Sequence, residues 1–138
     1  SAQPTAEGFQ SMAKAGIKTV ISLRRTVEDA PLAAGTGLDL IHFKVITRHL
    51  TDDNSALIVA ALRAINAAAK PVLVHCTHGA DRTGLVIGLW RMLYQGWSRD
   101  EVLAELIDGG FGFHHVWMNI PRYIREVDLD ALRQRVET

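Results

Sequence analysis

The residues able to do chemistry gather in one stretch, Pro71 to Gly84, which reads PVLVHCTHGADRTG. It places a cysteine, Cys76, and an arginine, Arg82, at the two ends of a short loop with Gly79 between them. Where such a loop curls into a helix, its backbone N–H groups point inward, and the positive end of the helix dipole reinforces the resulting anion site. Arg82 adds a planar, permanently charged fork that can hold two phosphate oxygens at once. The same field acts on Cys76. A free thiol ionises at a pKa of about 8.5, but beside cations at a helix N-terminus the value falls to roughly 3.5 to 7.5, which favours thiolate at neutral pH. A thiolate beneath a bound phosphate is a nucleophile aimed at phosphorus.

The elements needed to position these groups flank them. Val72-Leu73-Val74 is a short apolar run, and Leu85 to Leu93 is a long one, so the stretch reads as strand, tight loop and helix. A cysteine after a buried strand is more often an inert small hydrophobe. The glycine, the arginine and the helix start at fixed offsets reverse that expectation here.

The string His75-Cys76-Thr77-His78-Gly79-Ala80-Asp81-Arg82-Thr83-Gly84 resembles the signature H-C-x5-R-[ST]-G of the cysteine-based protein tyrosine phosphatase superfamily. The resemblance implies a phosphocysteine intermediate at Cys76 and phosphate binding by Thr77, His78, Gly79, Ala80, Asp81 and Arg82. It further implies a Thr83 hydroxyl that eases departure of the thiolate, and a His75 that holds the loop through nearby backbone. The opening Ser1-Ala2-Gln3-Pro4, with Gly16-Ile17-Lys18-Thr19-Val20-Ile21-Ser22-Leu23-Arg24, is similar to the start of small bacterial dual-specificity-like phosphatases. In that resemblance a first strand lies before the opening, so the chain reads as beginning one strand late. Such bacterial relatives are often exported, which favours an exported or periplasmic location over a cytoplasmic one by resemblance only.

Phosphate transfer expels an alkoxide or phenoxide, and a general acid near the leaving oxygen contributes about a hundredfold to ten-thousandfold. In the family an aspartate usually comes from the loop before the helix that precedes the signature strand. Asp52 and Asp53 stand there, slightly closer to the helix start than expected, and Arg48 or His49 occupies the usual spacing. Their alternative role is helix capping. Asp81, inside the signature loop, is a competing acid with a loop-stabilising hydrogen bond as its alternative role. His114 and His115 are candidates to orient a substrate or water, or else solvated loop histidines, since nothing completes a metal site around them.

Composition bounds the remaining choices. The 138 residues carry 15 Lys+Arg against 15 Asp+Glu, and the zero net charge gives no electrostatic case for broad nucleic-acid binding. Hydrophobic residues make up 48%, ordinary for a folded globular domain. The single cysteine excludes an internal disulfide, and no apolar run approaches the roughly 18 residues that a membrane span needs. No signal peptide is visible, and the abrupt start reads as a trimmed mature form. Neither a cofactor nor a metal is called for, and the partner expected is a phosphorylated protein or peptide. The sequence sets no oligomeric state.

Taken in order, Thr5 caps a helix through Ala15 that turns Phe9 and Met12 inward and ends at Gly16. Ile17 to Leu23 and Leu38 to Val45 read as strands. Arg24 and Arg25 follow the first, at the edge where open α/β sheets bind ligands; for one of them a structural ion pair with Glu28 or Asp29 is expected. A helix to about Ala69 carries a stripe of Leu57, Ala60, Ala61, Ala64, Ile65 and Ala68. After the signature helix, which Gly96 stops, Ser98 and Glu101 have capping-box spacing before a helix over Arg99 to Asp108. Two more are predicted, about His115 to Val127 with Pro121 in a first turn, and Asp130 to Val136. Trp90, Trp97 and Trp117 read as packing residues. Strands joined by helices predict one α/β domain over residues 1–138, a mainly parallel twisted sheet flanked by helices. The resemblance makes that fold protein tyrosine phosphatase-like.

The leading function is therefore a phosphatase acting on phosphotyrosine and extending to phosphoserine and phosphothreonine. The loop is also similar to the RNA 5'-triphosphatase branch of the superfamily, against which the neutral charge stands. Asp81 favours a phosphoinositide or inositol phosphate phosphatase, although such substrates call for more Lys and Arg than Arg82 alone. The non-enzymatic reading, a phosphate-binding pseudophosphatase, is weakened because Cys76, Arg82 and Thr83 are all present. An arsenate-reducing thiol enzyme would recruit further cysteines.

Overall fold

The computed structural model describes residues 1–24, 27–46, 48, 51, 56–77, 79, 81–110, 113–114 and 118–138. Its centre is a parallel sheet of β1 (Thr19–Ser22), β2 (Asp39–His42) and β3 (Val72–His75), in the order β2-β1-β3 among the described residues. Parallel neighbours need crossover connections, which the intervening helical and loop segments supply. The helices are α1 (Ala6–Lys14), α2 (Ala56–Ala67), α3 (Asp81–Tyr94), α4 (Arg99–Asp108), α5 (Asn119–Glu126) and α6 (Leu129–Glu137). A parallel sheet flanked by helices is the expected architecture.

Side-chain alternation sorts the strands onto two faces. Val20 of β1 and Leu73 of β3 pack with Phe9 and Met12 of α1 in a small apolar cluster. Ile21 and Val74 turn the other way, into the main core with α2 and α3. Central β1 is buried along its whole length, as a strand paired on both edges and covered on both faces must be.

The local signals account for most helix ends. Thr5 Oγ1 accepts the Gly8 N–H at 3.0 Å, and Gly16 follows α1 with φ +95°, where only glycine is unstrained. The Ser98–Glu101 capping box is formed in both directions. Pro121 sits in the first turn of α5, where its missing N–H costs no helical bond. That helix starts at Asn119, later than the predicted His115; residues 115–117, Trp117 among them, lie outside the described set, as does Arg25.

Two expectations are corrected. Both early strands are shorter than predicted, because pairing ends where β1 and β2 leave their parallel register. On α2 the buried residues are Ile58, Val59, Ala61, Leu62 and Ile65, while Leu57 is exposed. Burying Ile58 and Leu62 removes more apolar surface than burying an alanine stripe, so the helix rotates toward them. Arg24 donates to Gln3 Oε1 at 3.3 Å and makes no ion pair with Glu28 or Asp29, each of which has a histidine beside it; Arg25, for which the pair was equally expected, lies outside the described residues.

Helix α3 runs through the middle of the helical layer, touching α2, α4, α5, α6 and β3. Its approach to α4 depends on two glycines. A Cβ on Gly84 would stand 2.6 Å from Leu106 Cδ1, and one on Gly88 would stand 2.6 Å from Val102 Cγ1. Val102 is buried and branched at Cβ, so it has little room to yield. We expect Gly88→Val to lower stability by at least the about 1–3 kcal/mol of ordinary overpacking, read as a fall in Tm by thermal unfolding.

Candidate active site

Strand β3 ends at His75, Cys76 follows it into the loop, and Asp81 opens α3. Backbone bonds fix both sides of this junction. Leu23 N–H donates to His75 O at 2.8 Å, while Cys76 N–H donates to Ser1 O and Gln3 N–H to Thr77 O, each at 3.2 Å. Gly79 turns the loop at φ +72°, and a Cβ there would lie 2.4 Å from the Ser1 carbonyl carbon. Glycine is thus needed twice over, for the turn and for the close approach of the opening segment.

Cys76 is buried and in no disulfide. Burial, the largest single influence, raises its thiol pKa. The Thr83 hydroxyl, the backbone N–H groups of Thr83 and Gly79, and the charge of Arg82 act the other way, and together they bring the thiol below its ordinary value. The Thr83 hydroxyl is buried and meets no partner at hydrogen-bond geometry among the described residues, and it is one of the groups that lower the Cys76 pKa.

Arg82 is clamped from three directions. Its Nη2 donates to Thr77 Oγ1 at 2.7 Å, and its Nη1 donates to Leu23 O at 3.1 Å and Val45 O at 3.4 Å. The two carbonyls lie just beyond β1 and β2, at the carboxyl edge of the sheet where open α/β folds place ligands. The guanidinium therefore spans the loop and the sheet edge.

His75 does hold the loop, but with a partner that sequence reasoning did not identify. Its Nδ1 lies 3.4 Å from its neighbour's carbonyl, Cys76 O, and its Nε2 lies 2.5 Å from Asp29 Oδ2. The imidazole is wholly buried and Asp29 nearly so. Asp29 Oδ1 also accepts from Gln3 Nε2 at 3.0 Å, and Gln3 in turn accepts from Arg24. A polar chain thus runs from Arg24 through Gln3 and Asp29 to the residue before the cysteine.

Asp81 is buried and committed to His114: Oδ1 accepts the His114 backbone N–H at 2.9 Å and Oδ2 lies 2.6 Å from His114 Nδ1. That is the loop-stabilising role set against Asp81 as an acid, and it brings His114 to the signature loop. Asp52, Asp53 and His49, along with His78, Ala80 and His115, lie outside the described residues. Among the described residues no group of three or more His, Cys, Asp or Glu could hold a metal ion.

Two outcomes follow. Alkylation of Cys76 by iodoacetamide should rise with pH through a midpoint below that of a free thiol, and Thr83→Val should move the midpoint up by removing a hydrogen bond to the thiolate. Asp29→Ala should cost about 1–3 kcal/mol, read by denaturant unfolding, because a buried imidazole nitrogen loses its partner.

Comparison with known proteins bears on this geometry. A family model described as PTP-NADK, a DSP-PTPase phosphatase fused to NAD+ kinase, matches residues 1–111. The dual specificity protein phosphatase TpbA of Pseudomonas aeruginosa is 33% identical over 135 residues, 96% of this chain. The chain spans 60% of the length of that curated relative. The crystal structure of P. aeruginosa TpbA superposes with a TM-score of 0.86 at 29% identity, covering 99% of this chain and 84% of the other; a TpbA variant solved with phosphotyrosine gives the same score. The catalytic core of the PP-IP phosphatase Siw14 from S. cerevisiae, solved with citrate, matches at a TM-score of 0.78 and 25% identity, covering 99% of this chain and 84% of that one.

Proposed function

The chain belongs to the DSP-type branch of the cysteine-based protein tyrosine phosphatases, and from that premise we propose that residues 1–138 form one phosphatase domain hydrolysing phosphomonoesters through a phosphocysteine intermediate. Its substrates on this reading are phosphotyrosine side chains, with phosphoserine and phosphothreonine in addition. The observation that carries it is the environment of Cys76: a buried sulfur with its pKa lowered, at the start of a loop that Arg82 closes onto Thr77.

The chemistry follows from these groups. The substrate phosphate lies over the N-terminus of α3, held by loop N–H groups from Thr77 to Asp81 and by the Arg82 fork. The Cys76 sulfur attacks phosphorus in line with the leaving oxygen, and charge on the equatorial oxygens meets donors already in place. Water then attacks phosphorus and expels the thiolate, which the Thr83 hydroxyl stabilises as it leaves. No metal or cofactor enters this scheme.

The name of the TpbA relative and its phosphotyrosine complex support the protein-phosphatase reading. The likeness to Siw14 supports a second one, an inositol pyrophosphate or related inositol phosphate substrate. Against it, Arg82 is the single Lys or Arg between Cys76 and Gly84, whereas a substrate carrying many phosphates gains from several cations.

Steady-state hydrolysis separates the readings. We expect turnover of p-nitrophenyl phosphate and phosphotyrosine and phosphothreonine peptides in preference to an inositol phosphate or a 5'-triphosphate RNA. Cys76→Ser should abolish turnover while inorganic phosphate still binds. Preference for the inositol phosphate would keep the mechanism and overturn the substrate class. Hydrolysis surviving in Cys76→Ser would remove the covalent mechanism.

A further inference from the structure

Gln3 stands where the opening segment meets the start of the phosphate loop. Its backbone N–H donates to Thr77 O at 3.2 Å, beside the bond from Cys76 N–H to Ser1 O, and Thr77 Oγ1 in turn accepts Arg82 Nη2 at 2.7 Å. Its side chain makes a second set of bonds. Nε2 donates to Asp29 Oδ1 at 3.0 Å and to Pro4 O at 3.2 Å, while Oε1 accepts Arg24 Nη1 at 3.3 Å. One residue therefore holds the loop by its backbone and a buried carboxylate by its amide.

Two physical arguments give Gln3 a role. The first is chemical fit. A carboxylate accepts hydrogen bonds and a guanidinium only donates them, so a side chain between Asp29 and Arg24 must donate on one side and accept on the other. An amide does both, in one orientation: turned over, its oxygen would meet the Asp29 carboxylate and its nitrogen the Arg24 guanidinium. Asp29 needs that donor, because it is buried and a buried carboxylate is costly unless hydrogen-bonded; its other oxygen is held by His75 Nε2 at 2.5 Å. The second argument is electrostatic. A carbonyl oxygen turned toward a bound phosphate repels it, and the bond from Gln3 N–H commits Thr77 O to the opening segment. The same threonine steadies one arm of the Arg82 fork.

We propose that Gln3 is a positioning residue of this active site: its amide, locked between Asp29 and Arg24, fixes the backbone that holds Thr77 and, through Thr77, the Arg82 fork. The inference rests on the phosphatase reading and deepens it at the same site. Gln3 lies outside the signature string and needs no contact with the substrate. It acts on two groups that meet phosphate, the loop backbone and the guanidinium, by holding both in one geometry before the ligand arrives. Freeing the amide therefore loosens phosphate binding as well as the fold around it.

The test exchanges donor and acceptor across the contact between Gln3 and Asp29. Gln3→Glu sets a second carboxylate against Asp29, and Asp29→Asn sets an amide N–H against the donors of Gln3 or His75. Each should lower kcat/KM for p-nitrophenyl phosphate and raise the inhibition constant of inorganic phosphate by about tenfold, the cost of one misplaced hydrogen bond to a charged group. Combining Gln3→Glu with Asp29→Asn restores the pairing with the roles swapped: the asparagine oxygen serves His75, its N–H serves the introduced carboxylate, and Arg24 keeps an acceptor. The double variant should exceed both single variants in kcat/KM and in phosphate affinity. Every assay is run well below the Tm of the variant, read by thermal unfolding. Gln3→Met, which keeps the chain length and removes both polar groups, should lose the same factor if Gln3→Glu fails to fold. A folded Gln3 variant with a lower Tm but unchanged kcat/KM and phosphate inhibition marks a purely structural role and overturns the proposal, as does a double variant no better than the better single one. Wild-type turnover that vanishes in Cys76→Ser confines any such failure to the role of Gln3. Wild-type turnover that does not depend on Cys76 overturns the phosphatase reading and this inference with it.

Discussion

The structure turns on lowering the pKa of a thiol in a place from which water is largely excluded. Burial alone would leave Cys76 a protonated, inert thiol. Four contributions oppose it, the Thr83 hydroxyl, the N–H groups of Thr83 and Gly79, and the Arg82 charge, and all come from the loop or the first turn of α3. Such donors act only if the loop keeps its shape without a ligand, so the rest of the fold can be read as a mounting for it. β1 and the opening segment hold its entry by backbone bonds, α4 presses on the glycine face of α3, and Asp29 grips His75 from behind. A loop held this way has little reorganisation left to make when phosphate arrives, which is the condition for electrostatic stabilisation of the transferring group.

Much of this was legible in the sequence because it is local. The signature loop, the capping box at Ser98, the caps at Thr5 and Gly16 and the cores of the strands all depend on residues within a few positions of one another. Failures came where the decision is tertiary. The buried face of α2 was set by Ile58 and Leu62 competing against alanines, and helical periodicity alone does not rank those two faces. Glu28 and Asp29 were read only as partners for Arg24 or Arg25, and the approach of histidines from β2 and β3 to both carboxylates was not foreseen. His42 and His75 each end a strand next to the crossover that carries the two acids, a juxtaposition that exists only once the sheet has formed.

The two aspartate–histidine pairs at the loop show the same limit from another side. Asp29 is 46 residues from His75, and His114 is 33 from Asp81. Nothing in either spacing marks a partner. Asp29 and His114 were both visible as polar residues in loops, the first as a surface ion-pair candidate and the second as one of two adjacent histidines. Their environments separate the pairs by kind: His75 is sealed in the core with an aromatic edge from Phe9, whereas His114 stands half in solvent. The first arrangement suits rigidity, and the second leaves an imidazole partly exposed at the surface.

The grip of Arg82 on Leu23 O and Val45 O has a consequence for how this protein can diverge. In most enzymes the loops leaving a sheet edge are where new specificity is tried, since they vary without disturbing the scaffold. Here one carbonyl belongs to the first residue after β1 and the other to the third after β2, and both accept from Arg82. An insertion that shifts either crossover drags the guanidinium with it. Variation is thereby steered to parts of the rim that Arg82 does not touch, and the loops after β1 and β2 share the constraint on the position of Arg82.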